Sequence, residues 1–226
     1  MAGWQVNVEE QRKKDLKLVV FDVDGTLVKG YSWEFMHEAL GTGDDVRHCF
    51  DLFLKGSLSY EEWARIDASL WRGLPLERAE QIIRAMPYVT GARETIPILR
   101  NKVFRVFLLS AGLSLVSERI NAEIGVDGYL ANELLVQDGF LTGEVKVNVS
   151  FHRKDEALGR ILREWNLEME NCVAVGDDPT LVPLFKKVGL SIAFNPVNER
   201  IEKAADFVVK RDDLQLILPY ILDNRT

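Results

Sequence analysis

The segment Leu18 to Val28, LVVFDVDGTLV, constrains this chain more than any other. Four apolar residues run straight into two carboxylates, and Leu27 and Val28 follow the glycine turn. Asp22 and Asp24 are two apart, so in extended backbone both point to the same side. They leave the strand at its carboxyl end, where open α/β sheets bind their ligands. Gly25 frees the backbone to turn. Two anions held side by side raise one pKa unless a cation or a shared proton relieves them. The pair therefore implies either a bound hard metal or an acid/base division of labour. A solvent-facing acidic turn is the bland alternative, and the apolar flanks argue against it.

Short apolar runs recur at Leu18 to Phe21, Val103 to Leu109, Cys172 to Val175, Ser191 to Phe194 and Phe207 to Val209, and they read as buried parallel strands. Segments of helical spacing lie between several of them, such as Glu156 to Trp165 and Thr180 to Val188. The alternation predicts an α/β fold with a doubly wound, Rossmann-like, mostly parallel sheet. The first two strands are much further apart than a crossover helix requires. Trp33 to Leu40, Val46 to Leu54, Tyr60 to Trp71 and Leu76 to Met86 fill that gap with helical patterns. Residues 31–87 are accordingly expected to form a helical cap, inserted into a core of residues 1–30 and 88–226. The cap leaves the sheet directly after the two aspartates and is placed to act as a lid. Tyr129 to Lys146, with Asp138-Gly139 between alternating apolar stretches, reads as a β-hairpin.

The chain has 226 residues and a formal net charge of -7, with 47% hydrophobic and 28% charged residues. That balance argues against a general nucleic-acid binder, whose affinity rests on Lys and Arg neutralising phosphates. Two cysteines, Cys49 and Cys172, are too few for a stapled scaffold, and Cys172 reads as a buried thiol. The first fifteen residues read as a polar arm without a signal-peptide core, and no run approaches the length of a membrane span. A cytoplasmic protein without membrane partners is expected, as monomer or homodimer.

Later strands also end in residues that phosphate chemistry can use. Ser110 begins Ser-Ala-Gly after the second strand, Lys154 opens a helix after the hairpin, and Asp177 and Asp178 follow NCVAVG. Singly these are weak signals, since a turn hydroxyl, a solvated lysine and a structural Gly-Asp turn are all common.

Taken in order, DxDGT, a helical insertion, Ser-Ala-Gly, Lys and Gly-Asp-Asp, the chain resembles the haloacid dehalogenase superfamily, specifically its phosphoserine phosphatase-like group. The phrases NELLVQDGFLTGEV, VAVGD and LFKKVGLSIAF share the likeness, which runs from about Leu16 to Leu222. The resemblance implies that Asp22 is a nucleophile forming an aspartyl-phosphate and that Asp24 is the general acid and then base. It implies Mg2+ held by Asp22, the Asp24 carbonyl and Asp177, with Ser110, the Ala111 amide and Lys154 on the phosphoryl oxygens. Thr26 would fix the loop. The implied partner is a small phosphorylated metabolite.

Two departures from the group stand out. Its members usually write an asparagine and a second aspartate in the last motif, where this chain has Thr180 and Leu181; Asp178 is the one nearby replacement. Losing such a supporting carboxylate typically costs about ten- to a hundredfold in metal affinity or activity. On the substrate side, a glutamate and an arginine are replaced by Tyr31 and Asp67, so poor turnover of phosphoserine is expected. Trp63, Asp67 and Trp71 recur every four residues and share a helix face with Tyr60. Either the aromatics pack the cap's own core, with Asp67 at its rim near Arg65 or Arg72, or the face closes over the site. In the second case rings beside a carboxylate suit an organic cation such as a phosphorylated amine. His37, His48 and His152 lack metal-ligand spacing and read as surface or packing residues. Phosphotransfer to an alcohol, or ligand binding without turnover, are the competing functions.

Overall fold

The computed structural model describes residues 15–225. The arm expected for the first fifteen residues lies, but for Asp15, outside the described residues. The sheet is seven-stranded: β1 Leu18–Phe21, β2 Arg105–Leu113, β3 Gly128–Gln137, β4 Phe140–Lys146, β5 Cys172–Gly176, β6 Leu190–Phe194 and β7 Phe207–Val209, in the order β4-β3-β2-β1-β5-β6-β7. All pairings are parallel except β3 with β4. Every residue of β1 and β5 is buried. A central parallel strand has both faces covered, which is why these runs are continuously apolar rather than alternating. The chain turns to one side of β1 for β2 and to the other for β5, so the ligand crevice expected of such a sheet lies at the carboxyl ends of β1 and β5.

Four helices follow β1: α1 Ser32–Leu40, α2 Gly43–Leu54, α3 Tyr60–Ser69 and α4 Leu76–Arg84. The remaining helices are α5 Ala92–Asn101, α6 Ser114–Glu123, α7 Lys154–Trp165, α8 Val182–Phe185, α9 Glu199–Glu202 and α10 Leu218–Asp223. α1 ends at Gly41 in the left-handed conformation, and α3 begins with a capping box between Ser59 and Glu62. Rings fill the space among the first helices: Trp33 stacks on Trp71 and tilts against Trp63, each with centroids 5.5 Å apart, and Phe53 stacks on Trp63 at 5.6 Å.

The predicted hairpin forms, with Asp138 and Gly139 both at positive φ, as a two-residue turn matching strand twist requires. Its outer strand is joined to the loop after α3 by backbone bonds from Gly73 N–H to the Leu141 carbonyl, Leu141 N–H to the Leu74 carbonyl, and Leu76 N–H to the Gly139 carbonyl. Cys172 is buried as expected. Trp165 packs edge-on to Phe107, with Arg105 over its ring. Among the described residues no helix is long and apolar enough to cross a membrane.

Three expectations are corrected. Ser110 does not end its strand; β2 continues to Leu113, with a register shift after Leu109 that turns Ser110 and Ala111 toward the crevice. Thr180 to Val188 is not one helix: a 3-10 turn at Pro179–Leu181 precedes the short α8, because Pro179 and Pro183 each lack an N–H. The helical pattern to Trp71 stops at Ser69. Replacing Ser59 with Ala removes one half of the capping box and is expected to lower stability by about 1 kcal/mol in urea unfolding.

Candidate active site

The backbone leaving β1 turns inward at once. Asp22 accepts from Val23 N–H through Oδ1 (2.8 Å) and from Lys154 Nζ through Oδ2 (2.5 Å). Both residues are 4% exposed. Lys154, the first residue of α7, reaches Asp22 from the far side of the sequence. Burial raises the Asp22 carboxyl above the usual range, and the Lys154 ammonium opposes that rise.

Asp24 is held by a residue that the sequence reading did not single out. Ser32 donates to Asp24 Oδ2 from its backbone N–H (2.8 Å) and its hydroxyl (2.6 Å), and Ser32 Oγ accepts from Leu113 N–H at 2.9 Å. Asp24 Oδ1 is buried with no hydrogen-bond partner among the described residues. Burial pushes the Asp24 carboxyl up to about 6, against the two bonds from Ser32. Gly112 leaves room for this arrangement: a Cβ there would fall 2.3 Å from Asp24 Oδ2.

Asp177 follows β5 and accepts from the Thr26 hydroxyl at 2.8 Å, so Thr26 does fix this loop. Gly25, at φ 76°, lets Asp177 sit beneath the turn, since a Cβ would lie 2.2 Å from its Oδ2. Burial, and next the charge of Asp22, push Asp177 up to about 8, with the Thr26 bond acting the other way. Asp178 accepts from Thr180 N–H at 2.6 Å and lines the crevice. Thr180 is buried, and Leu181 is buried with its Cδ1 filling the space beside Gly176.

Several of these groups reach the floor of a cavity of about 510 Å³. Asp22, Asp24, Ser110, Ala111 and Lys154 line it below, and Tyr31, Trp33, Phe50, Trp63 and Asp67 line it from the helical side. Ser110 Oγ accepts from Gly112 N–H at 2.9 Å. Trp71 packs behind the wall, stacked on Trp33 and 4.7 Å from His37 between ring centroids.

Asp67 does not sit at a rim beside an arginine. It is 1% exposed, and His37 Nε2 lies 3.1 Å from its Oδ2, in ion-pair range but off the line of a good hydrogen bond. His37 is buried and specifically engaged, whereas His48 and His152 are exposed. The periodicity that placed Asp67 on the face of Trp63 carried no information about a partner on another helix.

Asn132 was also missed. Fully buried on β3, it donates to the Ala111 carbonyl (2.7 Å), the Val149 carbonyl (3.1 Å) and the Tyr60 hydroxyl (2.9 Å), and accepts from Asn148 and Val149 N–H at 2.9 Å each. The Tyr60 hydroxyl donates to the Ala111 carbonyl as well. One amide thus joins the Ser-Ala-Gly segment, α3 and the chain leading to Lys154. Its one sequence signal is a polar residue at an inward strand position. Asn132→Ala leaves several buried backbone groups unpaired and is expected to cost about 3 kcal/mol, read from the urea midpoint at unchanged slope.

Comparison with known proteins bears on this geometry. A family profile described as haloacid dehalogenase-like hydrolase matches residues 19–186. The phosphoserine phosphatase of Methanocaldococcus jannaschii is 34% identical over 92% of this chain and 99% of its own. That of Streptococcus thermophilus is 30% identical over 91% of this chain and 95% of its own. A solved phosphoserine phosphatase carrying an analogue of the phospho-aspartyl intermediate superposes with a TM-score of 0.77 at 33% identity, covering 91% of this chain and 98% of that one. A substrate-bound phosphoserine phosphatase gives 0.78 at the same identity and coverage. Fold, sequence and the order of motifs agree, and the chain belongs to the haloacid dehalogenase-like hydrolases, within the phosphoserine phosphatase family of phosphatases.

Proposed function

We propose that this protein is a Mg2+-dependent phosphatase that hydrolyses a small-molecule phosphomonoester through an aspartyl-phosphate on Asp22, with residues 31–87 as its cap. The observation that carries the reading is the buried Asp22–Lys154 contact beside an Asp24 carboxyl raised to about 6 with one oxygen unpartnered. Lys154 neutralises Asp22 and offers donors to an incoming phosphoryl group, and Ser110 and the Ala111 amide line the same floor. Asp22 Oδ attacks phosphorus as the ester oxygen leaves. Asp24, held by Ser32 through Oδ2, presents Oδ1 to donate its proton to that oxygen. In the second half, Asp24 accepts a proton from the water that attacks the aspartyl-phosphate, returning Asp22 to a carboxylate and releasing phosphate.

The donor set fits magnesium. Among the described residues no three His, Cys or acidic side chains form a metal cluster. A small hard cation that keeps several waters needs fewer: the carboxylates of Asp22 and Asp177 and the Asp24 carbonyl would hold it. Crowded carboxyls, Asp22 raised by burial and Asp177 by burial and the charge of Asp22, are the environment a cation relieves. When bound, the ion supplies charge neutralisation between nucleophile and phosphate. Leu181 supports a second reading, a slow, phosphate-ligand-binding homologue, because an apolar buried side chain stands where the group usually has a carboxylate.

Purified protein with Mg2+ is expected to release phosphate from small phosphomonoesters, with Asp22→Asn inactive and beryllium fluoride trapping Asp22. Phosphoserine is expected to be a poor substrate, since Tyr31 and Asp67 offer no cation for its carboxylate; preferred hydrolysis of phosphoserine in the panel overturns that part. Tight binding of phosphate esters without a burst or steady-state release supports the second reading instead.

The raised carboxyls also set a pH dependence. Asp24 and Asp177, at about 6 and about 8, bind more protons folded than unfolded. Their contribution to stability is full below about pH 4 and is lost as pH rises through 6 and 8. Magnesium competes with those protons, so the rise in Tm on adding Mg2+ should be larger at pH 8 than at pH 6. A shift that is equal or larger at pH 6 contradicts it.

A further inference from the structure

The helical end of the cavity carries polar atoms that the phosphoryl chemistry does not use. Asp67 is 1% exposed and lines the cavity, and its Oδ1 has no hydrogen-bond partner among the described residues. A buried carboxylate with an unused oxygen is costly unless a bound molecule completes it. His37 lines the cavity beside it, with Nδ1 2.7 Å from the Thr42 hydroxyl and Nε2 3.1 Å from Asp67 Oδ2. Burial raises the Asp67 carboxyl above the usual range, and the His37 side chain beside it opposes that rise.

Aromatic rings line the same cavity. Trp33, Phe50 and Trp63 line the cavity, with Trp63 centred 5.5 Å from Trp33 and 5.7 Å from Phe50. Glu34 and Glu38 add further carboxylates to the lining. The cations among the lining residues are Lys154, bonded to Asp22, and Arg47, a highly exposed side chain paired with Asp44 at 3.1 Å. The inner end therefore presents π faces, the unmet acceptor of Asp67 and the unmet Trp63 indole N–H.

We propose that this end recognises a cationic nitrogen, so that the substrate is the phosphate ester of a short amino or quaternary-ammonium alcohol, with Asp67 as its specificity-determining residue. The inference rests on the phosphatase reading above for the placement of the phosphoryl group at Asp22. A positive nitrogen satisfies Asp67 Oδ1 and is attracted to the faces of Trp33 and Trp63. A cavity of about 510 Å³ accommodates a phosphoryl group joined to a short aminoalkyl chain.

The test compares kcat/KM with Mg2+ for phosphocholine, O-phosphoethanolamine, glucose 6-phosphate and 3,3-dimethylbutyl phosphate, the uncharged isostere of phosphocholine. At least one cationic ester is expected to exceed the isostere by about tenfold or more. Its identity reports whether the site prefers a primary or a quaternary nitrogen. Asp67→Asn should shrink that ratio to about threefold or less, mainly through KM. The inference is overturned if the isostere or the sugar phosphate matches the best cationic ester in the wild type, or if Asp67→Asn leaves the ratio intact. Calorimetry on Asp22→Asn with the same esters separates the two readings. Preferential binding of the cationic ester by Asp22→Asn, with a wild type that hydrolyses none of the esters, overturns the phosphatase reading and supports the ammonium site. Hydrolysis of all esters without preference does the reverse.

Discussion

The contact between Asp22 and Lys154 is the constraint from which the rest of the site follows. Burying both charges costs several kcal/mol per ion, and their mutual attraction repays that only when geometry is tight. Such a pair is weak evidence for stability and better evidence for chemistry. It also fixes architecture, because it ties the end of the central strand to the start of α7 across most of the chain. The hairpin and the segment up to Lys154 must then run close to the Ser-Ala-Gly stretch, and Asn132 is the side chain that holds them there.

Around that pair the molecule concentrates negative charge. Asp24 and Asp177 are each buried beside Asp22 and each raised, yet each is individually oriented, Asp24 by Ser32 and Asp177 by Thr26. Gly25 and Gly112 make the crowding sterically feasible. Protein groups thus fix the carboxyls of the floor individually, the arrangement that electrostatic preorganisation requires.

Much of this was legible from the primary structure, for identifiable reasons. Apolar runs of strand length, a wide gap after the first of them and an Asp-Gly turn dictate a doubly wound sheet, helices in the gap and a hairpin. Asp22, Asp24, Lys154 and Asp177 were singled out because each follows or precedes a regular element at the same sheet edge. Ser32, Asn132 and the His37–Asp67 pair were not, since their roles lie in partners many residues away. Local periodicity placed Asp67 on a face but could not choose between a neighbouring arginine and a histidine of α1. The β2 boundary failed for a related reason: Ser-Ala-Gly reads as a turn, and only pairing with β3 at Asn132 keeps it in the sheet.

The backbone bonds between β4 and the loop after α3 have a consequence for how ligands enter. They make that loop a short extra rung on the sheet's edge, so α3 and α4 are moored to the core at the end remote from β1. Swinging these helices outward would forfeit three such bonds, at about 1 kcal/mol each. Among the described residues no such backbone bond joins the sheet to α2, whose Gly43, Val46, Arg47 and Phe50 border the cavity.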